Sequence, residues 1–201
     1  MATVEIRGNT DLRKALKRFA PDLEKNLRKE MAAGLRPVVK AAKGFVPAES
    51  PMSGWDSRSF SEGKFPTYNA TTIIKGLTYS TAVSKKNKNG FTSNARILNK
   101  SAVGAIYETS GRKNPNGQPW VGPKASGSSK KVSRSNNPHA GRQFIANLPP
   151  LTSSLQGRGR LIYRAWAEDK GRAHGIVMRA IDKTKQEFYA REAKGTLGKA
   201  A

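Results

Sequence analysis

Residues 10–44 read TDLRKALKRFAPDLEKNLRKEMAAGLRPVVKAAKG. Within them Leu12, Leu16, Phe19, Leu23, Leu27, Met31, Leu35, Val38 and Ala42 recur at three- and four-residue steps. Side chains spaced this way stack on one side of a 3.6-residue helix, so the stretch predicts an amphipathic α-helix with a continuous apolar stripe. Thr10 offers an N-cap oxygen and Asp11 a favourable first-turn charge, and Gly44 marks the end. Pro21 and Pro37 each remove a backbone donor and predict a new segment or a kink, so a straight span of roughly 50 Å is an upper bound. Such a stripe as a rule packs in its own core; the alternative is a helix packing partly on another subunit.

Before the helix, Thr3-Val4-Glu5-Ile6-Arg7 alternates as a strand with Val4 apart from the outward charges, and Gly8-Asn9 turns the chain. After it, periodicity disappears over residues 45–70, where Pro47, Pro51, Gly54, Gly63 and Pro66 interleave with Phe45, Trp55, Phe60, Phe65 and Tyr68. That pattern predicts a long loop with aromatic anchors. The rings either tack the loop onto its own core or insert into a neighbour, as interface anchors often do. Trp55, Phe60, Phe65, Trp120, Phe144 and Trp166 are the candidate subunit-interface anchors.

Branched residues over 71–80 and 91–98 predict further β structure, with the lysine-bearing Ser84–Gly90 segment as a hairpin tip. Ser101 is positioned to cap a short helix running to Glu108. Residues 110–141 carry no periodic apolar signal and read as a long basic loop, after which Phe144-Ile145 resumes the apolar pattern and Pro149-Pro150 interrupts it. Ile162, Trp166, Ala173, Val177, Ile181 and Phe188 then predict one last helix from Arg158 to Ala193, weakened or bent at Gly171 and Gly175. The expected fold is α+β: a long N-terminal amphipathic helix packed on a small antiparallel sheet, long basic loops, and a C-terminal helix. We expect one domain over 1–201, with its core in 3–109 and 142–193, long loops at 45–70 and 110–141, and a loose tail from 194.

Charge narrows the partners. The chain has 37 Lys and Arg against 14 Asp and Glu, a net charge of +23. The surplus is uneven: residues 85–142 hold twelve bases and one acid, whereas 49–84 are balanced at three and three. A field of this size attracts polyanions and repels copies of the same surface, which points to nucleic acid, anionic lipid or an acidic protein face. Lipid is the weakest of these, because no apolar run approaches the roughly 20 residues a membrane-spanning helix needs. With no signal-peptide core at the N-terminus, synthesis in the cytoplasm is expected. The absence of cysteine excludes disulfides, thiolate zinc sites and cysteine nucleophiles.

Signs of catalysis are sparse. His139 and His174 stand apart from any acidic cluster with metal-ligand spacing, and neither a phosphate-binding glycine loop nor a nucleophile turn is present. The chain is therefore expected to be neither an enzyme nor a cofactor carrier. Lys85, Lys86, Lys88, Lys113, Lys124, Lys130, Lys131, Arg134 and Arg142 are candidate contacts to DNA or to an acidic partner. The remaining singular residue is Glu108, the lone acid of the basic segment, at the end of Ala102–Glu108 and just before Gly111-Arg112. A carboxylate near a helix C-terminus is unfavourable unless a cation answers it. Arg112 and Arg142 are the expected partners, making Glu108, Gly111 and Arg112 a structural pin.

The order of elements, together with Val39–Pro47, Ala105-Ile106-Tyr107-Glu108-Thr109-Ser110-Gly111-Arg112 and Gly141-Arg142-Gln143-Phe144-Ile145, resembles the minor tail or tail-completion proteins of long-tailed double-stranded DNA bacteriophages, the family related to lambda minor tail protein Z. The chain departs from that pattern in the long loop between the two marks and in the length of its last helix. The resemblance implies an α+β virion protein forming an oligomeric ring at the head-proximal end of the tail. Its implied partners are other copies of itself, the tail terminator or tail-tube protein, head connector or stopper proteins, and passing genomic DNA, with no membrane. The alternative function is non-specific nucleic-acid binding through the basic loops.

Overall fold

The computed structural model describes residues 3–7, 10–57, 65–87, 89–124 and 132–197, with the side chains of residues 6, 7 and 10 set aside. The Gly8-Asn9 turn, Phe60, Gly63, Lys88, Lys130, Lys131 and the end of the tail lie outside these residues, and the expected Thr10 cap rests on one of the side chains set aside. The fold is α+β, as the sequence predicts. Its sheet is antiparallel, ordered β1 (Thr3–Arg7), β3 (Ser93–Asn99), β2 (Leu77–Ser80). Val4 lies opposite Ile97 and Tyr79 opposite the same residue from the other side. Val4, Ala95 and Ile97 are buried, which sets the core-facing side of the sheet.

The predicted stripe of residues 10–44 is realised as two helices, α1 (Thr10–Phe19) and α2 (Pro21–Gly44). Pro21 takes the first position of α2, where the missing N–H costs nothing. Pro37 does not end α2: Leu35, Val38, Val39 and Ala42 are all buried around it, and that packing offsets a loss of about 3 kcal/mol for an interior proline. Leu16, Leu23, Leu27, Met31 and Leu35 are at most 2% exposed, so the stripe is the subunit's own core.

Two expectations about elements are corrected. Residues 70–76 form a helix, α3 (Ala70–Gly76), instead of the first half of a strand. The Asn69 side chain accepts the Thr72 N–H at 2.8 Å and starts that helix, a local bond that outweighs the β preference of Thr71, Thr72, Ile73 and Ile74. The last helix is likewise divided. Gly157–Gly159 belongs to β5, paired with β4 (Thr152–Ser154) as a second small sheet. Helix α6 (Ile162–Asp169) then ends at Lys170 and Gly171, both with positive φ (51° and 82°), before α7 (Arg172–Ala193). The Asp169 carboxylate accepts the Ala173 N–H at 2.7 Å and so opens α7. All six apolar positions expected to face the core, Ile162 to Phe188, are buried nonetheless.

Helix α7 runs antiparallel along α2. Lys183 meets Glu30 and Arg191 meets Asp22, each at 2.8 Å, and a Cβ added at Gly34 would sit 2.8 Å from Ile176 Cγ2, marking the closest approach. Helix α6 and strand β2 also lie against α2, which is therefore the central element. The described parts of the loop, residues 45–57 and 65–69, are gathered around Trp55, whose ring is fully buried and whose Nε1–H donates to the Pro66 carbonyl at 2.9 Å. Tyr68 and Phe144 pack on it with ring centroids 5.2 and 5.0 Å away.

Candidate functional site

The residues from Ala102 onward form α4 (Ala102–Thr109), opened by Ser101, whose hydroxyl accepts the Gly104 N–H at 3.0 Å as the sequence suggests. Tyr107 and Glu108 end up on its buried side. Glu108 is completely enclosed. One carboxylate oxygen accepts from the N–H groups of Leu161 and Ile162 at 2.5 and 3.2 Å, and the other from Tyr163 at 3.0 Å. These are orphan donors at the start of α6, where the helix dipole presents partial positive charge.

A reciprocal contact is made by Arg160, also buried. Its Nη1 donates to the carbonyls of Tyr107 and Ser110, both at 2.9 Å, and its Nε donates to the Pro149 carbonyl. Thus α4 supplies the carboxylate that caps the N-terminus of α6, and the residue two positions before α6 supplies the cation that answers the C-terminus of α4. The expected Glu108 partners are corrected accordingly. Among the described residues no ion pair joins Glu108 to Arg112 or Arg142. Arg112 instead lies over the Tyr163 ring, 5.3 Å from its centroid.

Burial holds the Glu108 carboxyl above its ordinary value, against the opposing pull of the Tyr163, Leu161 and Ile162 N–H groups and of Arg160. Arg160 is drawn below the usual guanidinium value by its own burial, with Tyr107 and Glu108 acting the other way. Access decides what this arrangement does: every Glu108 oxygen is engaged, and Gly159 leaves no space beside it, since an added Cβ would lie 2.7 Å from the carboxyl carbon. The cluster is a joint between elements.

Gly111 connects this joint to the second mark of the sequence. It adopts φ +81°, open to glycine at no steric cost, and an added Cβ would come 2.9 Å from Ile145 Cγ2. Ile145 lies on α5 (Ala140–Ala146), whose Phe144 packs edge-on against Trp55 and Phe65. The segments 105–112 and 141–145 are therefore in contact.

The candidate interface anchors divide. Trp55 and Trp166 are buried within the subunit, and Phe65 and Phe144 are half-buried in the same ring cluster, so these four act on the subunit's own core. Trp120 is 46% exposed. Its backbone bridges to Ser133, with Val121 N–H donating to Ser133 O at 3.0 Å and Ser133 N–H to Pro119 O at 2.8 Å. Its Nε1–H reaches the Ser135 carbonyl at 2.8 Å. The basic loop thus has a folded base.

Of the cations singled out, Lys85, Lys86, Lys113, Lys124 and Arg142 are exposed and Arg134 half-buried. Lys85 and Lys86 sit on the β2–β3 hairpin, whose tip is organised by the Asn87 side chain accepting from Asn89 and Phe91 N–H groups. Sequence reading missed a buried pair, Arg13 with Glu24 at 2.6 Å, in which Arg13 Nη1 also donates to Thr81 O at 2.6 Å. Both residues occupy ordinary polar positions of an amphipathic pattern, so nothing local distinguishes them. His139 and His174 are exposed, and among the described residues no group of three His, Asp or Glu side chains is arranged to hold a metal ion. An open, polar depression of about 620 Å³ lies beside Glu49, Ser50, Asp56 and Asn69. No described helix is long and apolar enough to cross a membrane.

No family model, curated protein or solved structure matches the chain.

Proposed function

We propose that this chain is a structural virion protein of a long-tailed phage, placed at the head-proximal end of the tail, where copies form a ring that completes the tail and joins it to the head connector. The observation that carries this reading is the contact between the two segments on which the resemblance rests. Glu108 is saturated by backbone donors, Gly111 receives Ile145, and Phe144 docks on Trp55. Their short, separated motifs are parts of one joint, which supports an architectural role.

Exposed apolar residues support association. Val121, Leu155, Phe91 and Tyr189 are each at least 43% exposed, and Leu155 stands fully exposed at the tip of the β4–β5 hairpin. That hairpin is held firmly, because the Gln156 amide both donates to and accepts from the Glu5 backbone at 3.0 and 3.1 Å, closing the edge of β1 at that point. A rigid apolar tip is suited to a neighbour's surface, and contacts between different faces of identical subunits generate rings. A premature stop codon in this gene is expected to yield filled heads and separate tails; fully joined, infectious particles from that mutant would overturn the proposal.

A further inference from the structure

The exposed surface of residues 85–142 carries no negative charge among the described residues, because its one acid, Glu108, is buried beneath it. Surfaces that recognise a folded protein mix signs to set register, whereas a uniform positive surface suits the evenly charged phosphate backbone of nucleic acid. Within this surface stands Trp120. Its indole N–H is engaged by Ser135 O, which fixes the ring, and Gly122 bears no side chain where an added Cβ would stand 3.7 Å from the ring edge. Gly122 has φ +86°, so the backbone there favours the residue that leaves the ring bare. Among the described residues no ring–ring or cation–ring contact involves Trp120.

The loop base brings cations to this ring. Lys124 follows two residues after Gly122, and Gly117 packs directly against Gly141, with an added Cβ only 3.1 Å from Arg142 N. From this juxtaposition of a fixed, exposed indole with Lys124 and Arg142, we propose that the described parts of the loop, residues 112–124 and 132–142, bind single-stranded nucleic acid without sequence preference, Trp120 stacking on a base and these cations, with the exposed Lys113, holding flanking phosphates. Stacking is sequence-tolerant because every base has a π-face. This goes beyond a structural role in the tail and does not require it.

The full chain also contains the probe. Trp55 and Trp166 are 0% and 7% exposed against 46% for Trp120, so a stacked base quenches mainly the Trp120 emission. Titrating the protein with a twenty-nucleotide oligothymidylate at several salt concentrations is expected to give quenching, with log K falling linearly in log salt at a slope of roughly −0.7 per phosphate held. Trp120→Ala is expected to remove the quench and weaken single-strand binding roughly 5- to 150-fold, while Trp120→Phe, which keeps a stacking ring, stays within roughly fivefold. Duplex of the same length should bind with an affinity that Trp120→Ala leaves within about threefold, since duplex bases are already stacked. The triple variant Lys113→Ser, Lys124→Ser, Arg142→Ser should flatten the salt slope by roughly two. Unchanged single-strand affinity in a folded Trp120→Ala would overturn the proposal. So would equal quenching and affinity with polyglutamate, which would point to an acidic protein partner, or no binding at 50 mM salt.

Discussion

At the scale of single residues, the joint around Glu108 makes sharp demands. Glu108→Gln keeps the shape but turns an amide N–H toward one of three backbone donors, and an unsatisfied buried donor costs about 1–3 kcal/mol; urea unfolding should show that loss without a change of fold. Gly159→Ala forces a methyl group into the space of the Glu108 carboxyl and the Tyr163 ring, and overpacking of this kind costs about 1–3 kcal/mol. Gly44→Ala meets no atom within 4 Å and serves as the neutral comparison. Tyr68 supplies a pH test. Burial, with the neighbouring Tyr107 adding to it, pushes its hydroxyl from 10.0 up to about 12. The fold therefore favours the neutral phenol, so the associated stability is complete below pH 10 and is lost as pH rises through about 12. Thermal midpoints of the wild type should fall faster across that window than those of Tyr68→Phe. The importance of Glu108 was legible from its isolation among bases, but its partners were not. Backbone N–H groups some fifty residues further along the chain have no sequence signature, whereas Arg112, four residues away, invites an i,i+4 pairing.

At the scale of elements, strong periodicity was legible and short non-local pieces were not. The α1–α2 stripe and the buried positions of α6 and α7 follow directly from spacing. By contrast, β4 and β5 have three residues each, rich in Ser and Gly, too short for an alternation signal. Their stability comes from packing on α6 and from the Gln156 clamp on β1. Helix α3 was misread because β-branched composition is a weak guide beside one good N-cap. The attachment of α1 rests on Arg13, whose guanidinium is 6% exposed and ties Glu24 on α2 to the end of β2. Arg13→Met removes the close partner of the Glu24 carboxylate and leaves it only the more distant, half-exposed Arg28 at 4.0 Å, and breaking a buried pair costs up to about 3–5 kcal/mol. Hydrogen exchange should show α1 losing protection before α7 does.

At the scale of the whole molecule, the amino-acid sequence already announced the +23 charge and long loops. It did not announce that the basic loop has a bridged base or that most aromatics serve their own subunit, because both depend on contacts between segments far apart in sequence. Copies bearing this charge repel at low ionic strength. Sedimentation of the purified protein should accordingly find a monomer or a weakly associating species at low salt. Association is expected once acidic partners, counterions or nucleic acid offset the repulsion, and a stable high-order ring in low-salt buffer would contradict this. The position of the protein in a particle tests the account most directly. Phage particles carrying an epitope-tagged copy, labelled with gold-conjugated antibody and imaged by electron microscopy, should show label at the junction of head and tail; particles free of the protein, or label confined to the distal tail tip, would contradict it.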